Sequence, residues 1–147
     1  MTKEAVDLVL ETLRKWNRSN TNNIKPVIEH IATVKPERGK RQDLQRSDFV
    51  FAYETAHNED VPDLLYNFVM TRINITVDIR TAKSHSHLQS MENEVRRLVH
   101  ADRKGDGVNY DRMIFKTRTD LSDRTKRLFR HTFQIEVVVL ADPIEVA

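Results

Sequence analysis

Cysteine is absent from this sequence, and disulfides, thiol catalysis and thiolate metal sites are excluded with it. Glycine occurs at only three positions, 39, 105 and 107, so neither a Walker loop nor a dinucleotide fingerprint can be built. The Gly105-Asp-Gly107 turn is too short to cradle a phosphate. A Gly-x-Ser-x-Gly nucleophile elbow is missing as well. No apolar run approaches the roughly 18 residues that a membrane helix needs. The first apolar stretch is broken by Asp7 and Glu11, which does not suit a secretory leader. These absences lead to the expectation of a chain made in the cytoplasm, with no cofactor and no membrane partner.

What is present is a folding composition. Hydrophobic residues make up 39% of the 147 positions and charged residues 31%. That length suits one hydrophobic core and is short for two, so residues 1–147 are expected to form a single domain. The formal charge is only +2, but it is unevenly spread. Arg14 to Arg46 carries nine Lys or Arg against Glu29, Glu37 and Asp43, and Arg112 to His131 carries seven against Asp120 and Asp123. The acidic surplus lies in Glu54 to Asp63 and in the first turns of the chain. Segregated charge of this kind suits nucleic acid or a complementary copy of the same chain.

Hydrophobic periodicity sets the element order. Val6, Val9, Leu10, Leu13 and Trp16 recur at spacings of three and four, which predicts a helix from Lys3 to about Trp16 with Thr2 as its N-cap. Ile24 to Val34 fits either a short helix or an edge strand that Pro36 closes. Glu37 to Arg46 reads as an exposed loop or the tip of a basic hairpin, and Phe49 to Glu54 as that hairpin's second strand. His57 to Asp63 is expected to be a polar connection. The strongest signal is strict alternation from Val69 to Ile79, a strand with one apolar and one polar face. Ser84 or Ser86 then caps a helix reaching His100, with Leu88, Met91, Val95, Leu98 and Val99 as its apolar stripe and Glu92 set to pair with Arg96. Asp102 to Gly107 is a turn whose glycines supply positive φ where needed. Arg112 to Thr119 and Thr125 to Leu140 are two more strands, expected to be antiparallel neighbours. The fold class that follows is α+β: a central, mainly antiparallel sheet of four to five strands with both helices on one face and a polar second face.

Three kinds of chemistry are open to residues of these types. His85 and His87, with Asp78, offer ligand types for a transition metal, but His100 is too far along the helix to join them. A metal-dependent nuclease needs converging carboxylates near Lys83. Asp78 shares its face with Arg72, Thr76 and Arg80, and Glu92 and Glu94 point apart on their helix. The acidic and histidine residues are therefore expected not to converge, and no catalytic or metal site is assigned. The basic segments fit binding better. Lys35, Arg38, Lys40, Arg41 and Arg46 occupy one predicted loop at about 35–47, and Arg112, Lys116 and Arg118 are expected along one face of a strand.

One family resemblance runs through the later part of the chain. It is carried by Asn74-Ile-Thr-Val-Asp-Ile-Arg-Thr81, the helix Met91-Glu-Asn-Glu-Val-Arg-Arg-Leu98, then Tyr110-Asp-Arg-Met-Ile-Phe115, Asp120-Leu-Ser-Asp-Arg-Thr125 and Arg130 to Val139. Over residues 65 to 140 this layout resembles tail-terminator and tail-completion, or head–tail joining, proteins of tailed viruses. The resemblance implies a virion structural protein without catalysis, a homo-oligomeric ring, hexameric in several relatives, and tail-tube and head-completion proteins as partners. It also implies that the Lys35 to Arg46 arm faces a subunit or the lumen, where DNA is a further contact, and that Asp78, Arg80, Arg118 and Arg130 contact neighbouring subunits. The long basic segment before Phe49 departs from the family layout and suits the alternative of a DNA-binding adaptor.

Overall fold

The computed structural model describes residues 4–16, 26–30, 48–60, 69–105, 110–123, 125 and 127–141. Helix α1 spans Ala5–Leu13 and α2 spans His85–Ala101. The strands are β1 (Val27–His30), β2 (Phe49–Asp60), β3 (Val69–Thr81), β4 (Arg112–Asp120) and β5 (Phe129–Ala141). They form one five-stranded sheet in the order β1-β2-β3-β5-β4. β2, β3, β5 and β4 pair with one another antiparallel, and β1 adds a short parallel edge beside β2.

The expected α+β layout is therefore present, for the reason its pattern gave. Ile73, Ile75, Val77 and Ile79 of β3 lie opposite Val137, Ile135, Phe133 and His131 of β5 and are buried beneath the helices. Val6, Val9, Leu10 and Leu13 of α1 and Leu88, Met91, Val95, Leu98 and Val99 of α2 close over them in one cluster. Trp16, just past α1, is fully buried in that cluster. Ser84 caps α2 by accepting a hydrogen bond from the His87 N–H at 3.1 Å. At the other end, Asp102 takes bonds from Thr12 Oγ1 at 2.7 Å and Lys15 Nζ at 2.7 Å, which ties α1 to α2.

Several boundaries differ from expectation. β1 and β2 do not form a hairpin. Val27 to His30 run parallel to Phe49 to Ala52, which requires a crossover between them. The residues that make it, 31–47, and with them the predicted arm of Lys35, Arg38, Lys40, Arg41 and Arg46, lie outside the described residues. β2 continues to Asp60 rather than ending at Glu54, because a bulge between Glu54 and Ala56 lets His57 to Asp60 keep pairing with β3. Helix α1 begins at Ala5 with Glu4 as N-cap, and Thr2 lies outside the described residues. β5 starts at Phe129 because a tight turn precedes it, closed by paired Asp123 and Leu128 with Arg127 at φ 53°. Gly105 is required for space: a Cβ there would sit 1.9 Å from the Tyr110 carbonyl oxygen.

The second face of the sheet is not uniformly polar. β3 presents Arg72, Asn74, Thr76, Asp78 and Arg80 there, as the alternation predicts. β2, however, brings Phe49, Phe51 and Tyr53 to the same face, all buried, with the two phenyl rings stacked 5.5 Å apart. This parity of β2 was hidden because both of its faces are apolar between Phe49 and Tyr53.

Candidate functional site

Among the described residues, three polar clusters hold Asp78, Arg80, Arg118 and Arg130, while Lys35, Arg38, Lys40, Arg41 and Arg46 lie outside the described residues. The first lies at the middle of the second face, where Asp78 and Thr132 are cross-strand neighbours and Arg80 is paired with Arg130. Asp78 is fully buried. Arg80 donates to it from Nε at 3.2 Å and Nη2 at 2.9 Å, and Arg130 from Nε at 3.0 Å and Nη2 at 2.8 Å. One carboxylate thus holds two guanidiniums. The Arg80 guanidinium also lies 5.4 Å from the centre of the Phe51 ring. Burial first, and then the negative charge of Asp78, raise the Tyr53 hydroxyl above its ordinary pKa, against an opposing pull from Arg130 and Arg80. Further along the face, Gln134 Nε2 donates to Thr76 Oγ1 at 2.8 Å, in line with Thr55.

Towards the other end of that face, Glu136 is buried and paired with Lys116, with Arg72 Nε at 4.0 Å. Arg112, opposite Val138, is exposed and its guanidinium has no partner among the described residues. Ile114 and Leu140 are exposed apolar side chains on the same face.

The second cluster is on the helix side. Glu92 is buried in α2 and accepts from Arg118 Nη1 at 3.0 Å, while His131 Nδ1 lies 3.1 Å from the same oxygen. Arg96 closes on Glu92 at 3.6 Å, the pairing that helical spacing predicted, and stacks over Phe115 at 4.8 Å. His131 Nε2 is 3.6 Å from Asp120, and the His85 ring centre is 6.0 Å from that of His131. Hydrogen bonds from Ser122, chiefly its side chain and then its N–H, hold the Asp120 carboxyl below its ordinary pKa, with smaller help from His131 and His85.

This cluster corrects two expectations. Arg118 does not share a face with Arg112 and Lys116, because a bulge between Phe115 and Thr117 turns the strand and sends Arg118 to the helix side. Acidic and histidine residues do converge, at Glu92, His131, Asp120 and His85. Arg118 and Arg96 answer Glu92 and Ser122 answers Asp120, and among the described residues no group of three or more is arranged to hold a metal ion.

The third cluster joins the start of β2 to the entrance of α2. Buried Asp48 accepts from Thr81 Oγ1 at 2.7 Å, lies 2.6 Å from His87 Nε2 and is 3.5 Å from Lys83 Nζ. His87 therefore serves Asp48 while His85 packs against the Phe129 and His131 rings, and Lys83 serves Asp48 rather than Asp78. Asp78, closed in by two arginines, has no open position for a cation. The chemistry available on these surfaces is ionic recognition through arginine and lysine.

No protein-family model matches the chain, and no curated protein does. Among solved structures, it is similar in fold to a chain of the virion of a native gene transfer agent particle, with a TM-score of 0.53 and 8% identity. The likeness covers 95% of this chain and 100% of that one, and at this identity it is a likeness of fold. No helix among the described residues is long and apolar enough to cross a membrane.

Proposed function

We propose that this chain is a structural subunit of a virus-like particle that terminates a tail tube or joins tail to head by forming a ring of its own copies. The observation that supports this reading is the end-to-end likeness in fold to a virion chain, with neither chain extending far beyond the other. A subunit of this kind works by presenting rigid surfaces to its neighbours, and a five-stranded sheet backed by two helices supplies them. Ring size, and the tail-tube and head-completion partners, belong to the same proposal. Native mass measurement and negative-stain imaging of the purified chain test it, with closed rings of defined copy number as the expected result. A monomer at high concentration that also fails to associate with tail tubes would sink the reading.

The surplus of arginine and lysine on the second sheet face favours one other reading, a DNA-contacting adaptor. It requires salt-sensitive retention of duplex DNA, weakened by neutralising Lys40 and Arg41. No retention at low salt disposes of it.

A further inference from the structure

Two local surfaces on opposite sides of the sheet carry opposite charge. On the helix side, α1 exposes Glu4, Asp7 and Glu11, spaced by three and four residues and so aligned in one acidic stripe. Glu4 and Asp7 have no side-chain partner among the described residues. Its other faces are taken up by the core, through Val6, Val9, Leu10 and Leu13. On the opposite side, Arg72, Arg80, Arg112, Lys116 and Arg130 lie with two carboxylates among the described side chains, Asp78 and Glu136, both buried. The accessible part of that surplus is gathered around Ile114. Arg72 and Lys116 are 43% and 45% exposed, and Arg112 is exposed and unpaired.

We infer that this patch (Arg72, Arg112, Lys116, Ile114 and Leu140) receives the acidic α1 stripe of a second copy, the helix side of one subunit lying on the sheet side of the next. The inference rests on the assembly reading above and deepens it by naming both halves of the contact. Such a contact is heterologous, so it repeats from copy to copy and closes into a ring when its rotation allows. Charge complementarity selects the occupant. Several other exposed cations are answered locally: Arg96 by Glu92 and Phe115, Arg97 by Glu94, and Arg103 by the His100 carbonyl. Arg112 has no such answer within the described residues, and Glu4 and Asp7 stand in the same position. A carboxylate partner fits better than a phosphate backbone. The patch centres on aliphatic Ile114 and Leu140 and carries no aromatic ring on which a base would stack.

The test uses two substitutions at exposed, unpaired side chains, so folding is left intact and checked by circular dichroism. Arg112→Glu makes the patch repel the stripe, and Asp7→Arg makes the stripe repel the patch. Each variant alone is expected to need at least about tenfold more protein to assemble, read by sedimentation velocity. An equimolar mixture is expected to regain assembly, because each variant then offers the face the other lacks. Asn93→Glu, an added acid on exposed α2, serves as control and leaves assembly unchanged. If the wild-type chain assembles and both variants do so equally well, this contact is overturned while the ring reading stands. If the wild-type chain is monomeric with and without tail tubes, both fall. Assembly indifferent to Arg112→Glu, together with duplex DNA binding that this substitution abolishes, overturns the contact in favour of nucleic acid.

Discussion

At the scale of single residues, Asp78 is the side chain on which most depends. It is fully buried, and its charge is the counterweight to both Arg80 and Arg130. Removing it leaves two guanidiniums facing each other in a largely buried site. Asp78→Ala is therefore expected to lower stability by about 3–5 kcal/mol, measured by denaturant titration. Combining it with Arg130→Met, which removes one of the stranded charges, should recover part of that loss. A loss below about 1 kcal/mol would show that the pair is better solvated than its burial indicates.

Asp120 gives a pH signature of known sign. Its folded pKa is depressed below the ordinary value of 3.8, so its contribution to stability is fully present above that value and is lost as pH falls through the lower folded pKa. Ser122 is the first cause. Ser122→Ala should raise the Asp120 carboxyl midpoint toward 3.8, followed by NMR of the carboxyl carbon, and narrow the acid window of stability. A midpoint that does not move would mean that the residue 122 N–H, with His131 and His85, holds the carboxylate instead. Neither residue pair was legible in the sequence. Glu92 and His131 are 39 positions apart, and Asp78 and Arg130 are 52 apart. Periodicity tells which face a residue occupies, while its partner depends on strand order.

At the scale of elements, legibility follows how local the determining signal is. β3 and α2 were readable because their patterns run unbroken for several turns or pleats and each buries one face. Their observed extents, Val69–Thr81 and His85–Ala101, match the pattern nearly end to end. The two bulges, at Glu54/Ala56 and Phe115/Thr117, left no such trace, because each arises from ladder geometry with a neighbouring strand. The second bulge moved Arg118 across the sheet and the first kept β2 growing. The parallel pairing of β1 was equally hidden, since a four-residue strand has too few alternating positions to declare its neighbour.

The turn after α2 carries a prediction of its own. The Gly105 N–H donates to the Asp111 carbonyl at 2.9 Å while the Tyr110 carbonyl takes the space a Cβ would need. A methyl group there meets backbone at 1.9 Å, so the turn must shift. The Tyr110 hydroxyl bond to the Asp102 carbonyl and the Met113 bond to Arg103 depend on that turn. Gly105→Ala is expected to cost about 1–3 kcal/mol, with amide exchange accelerated at Met113 ahead of the sheet centre. Equal acceleration throughout the sheet would place the damage in the global core instead.

For the whole molecule, the β3–β5 ladder is what makes the described residues one cooperative body. It pairs Val69 to Thr81 with Phe129 to Ala141 without interruption, and so joins the β1–β2 side to the β4 edge. The core cluster draws on both helices and on four of the strands. Thermal unfolding of the chain should accordingly show a single transition by both far-ultraviolet and tryptophan signals, Trp16 being fully buried in that cluster. Assembly then leaves a mark on the same measurement. Copies that bind one another only when folded stabilise the folded state by mass action, so Tm should rise with protein concentration. If the contact joins an acidic stripe to a basic patch, that dependence should be strong at low ionic strength. It should shrink in about 1 M salt, where the screening length falls to about 3 Å. A Tm that rises with concentration equally at both salt levels would point to an apolar contact between copies, and a Tm independent of concentration at either level would point to a folded monomer.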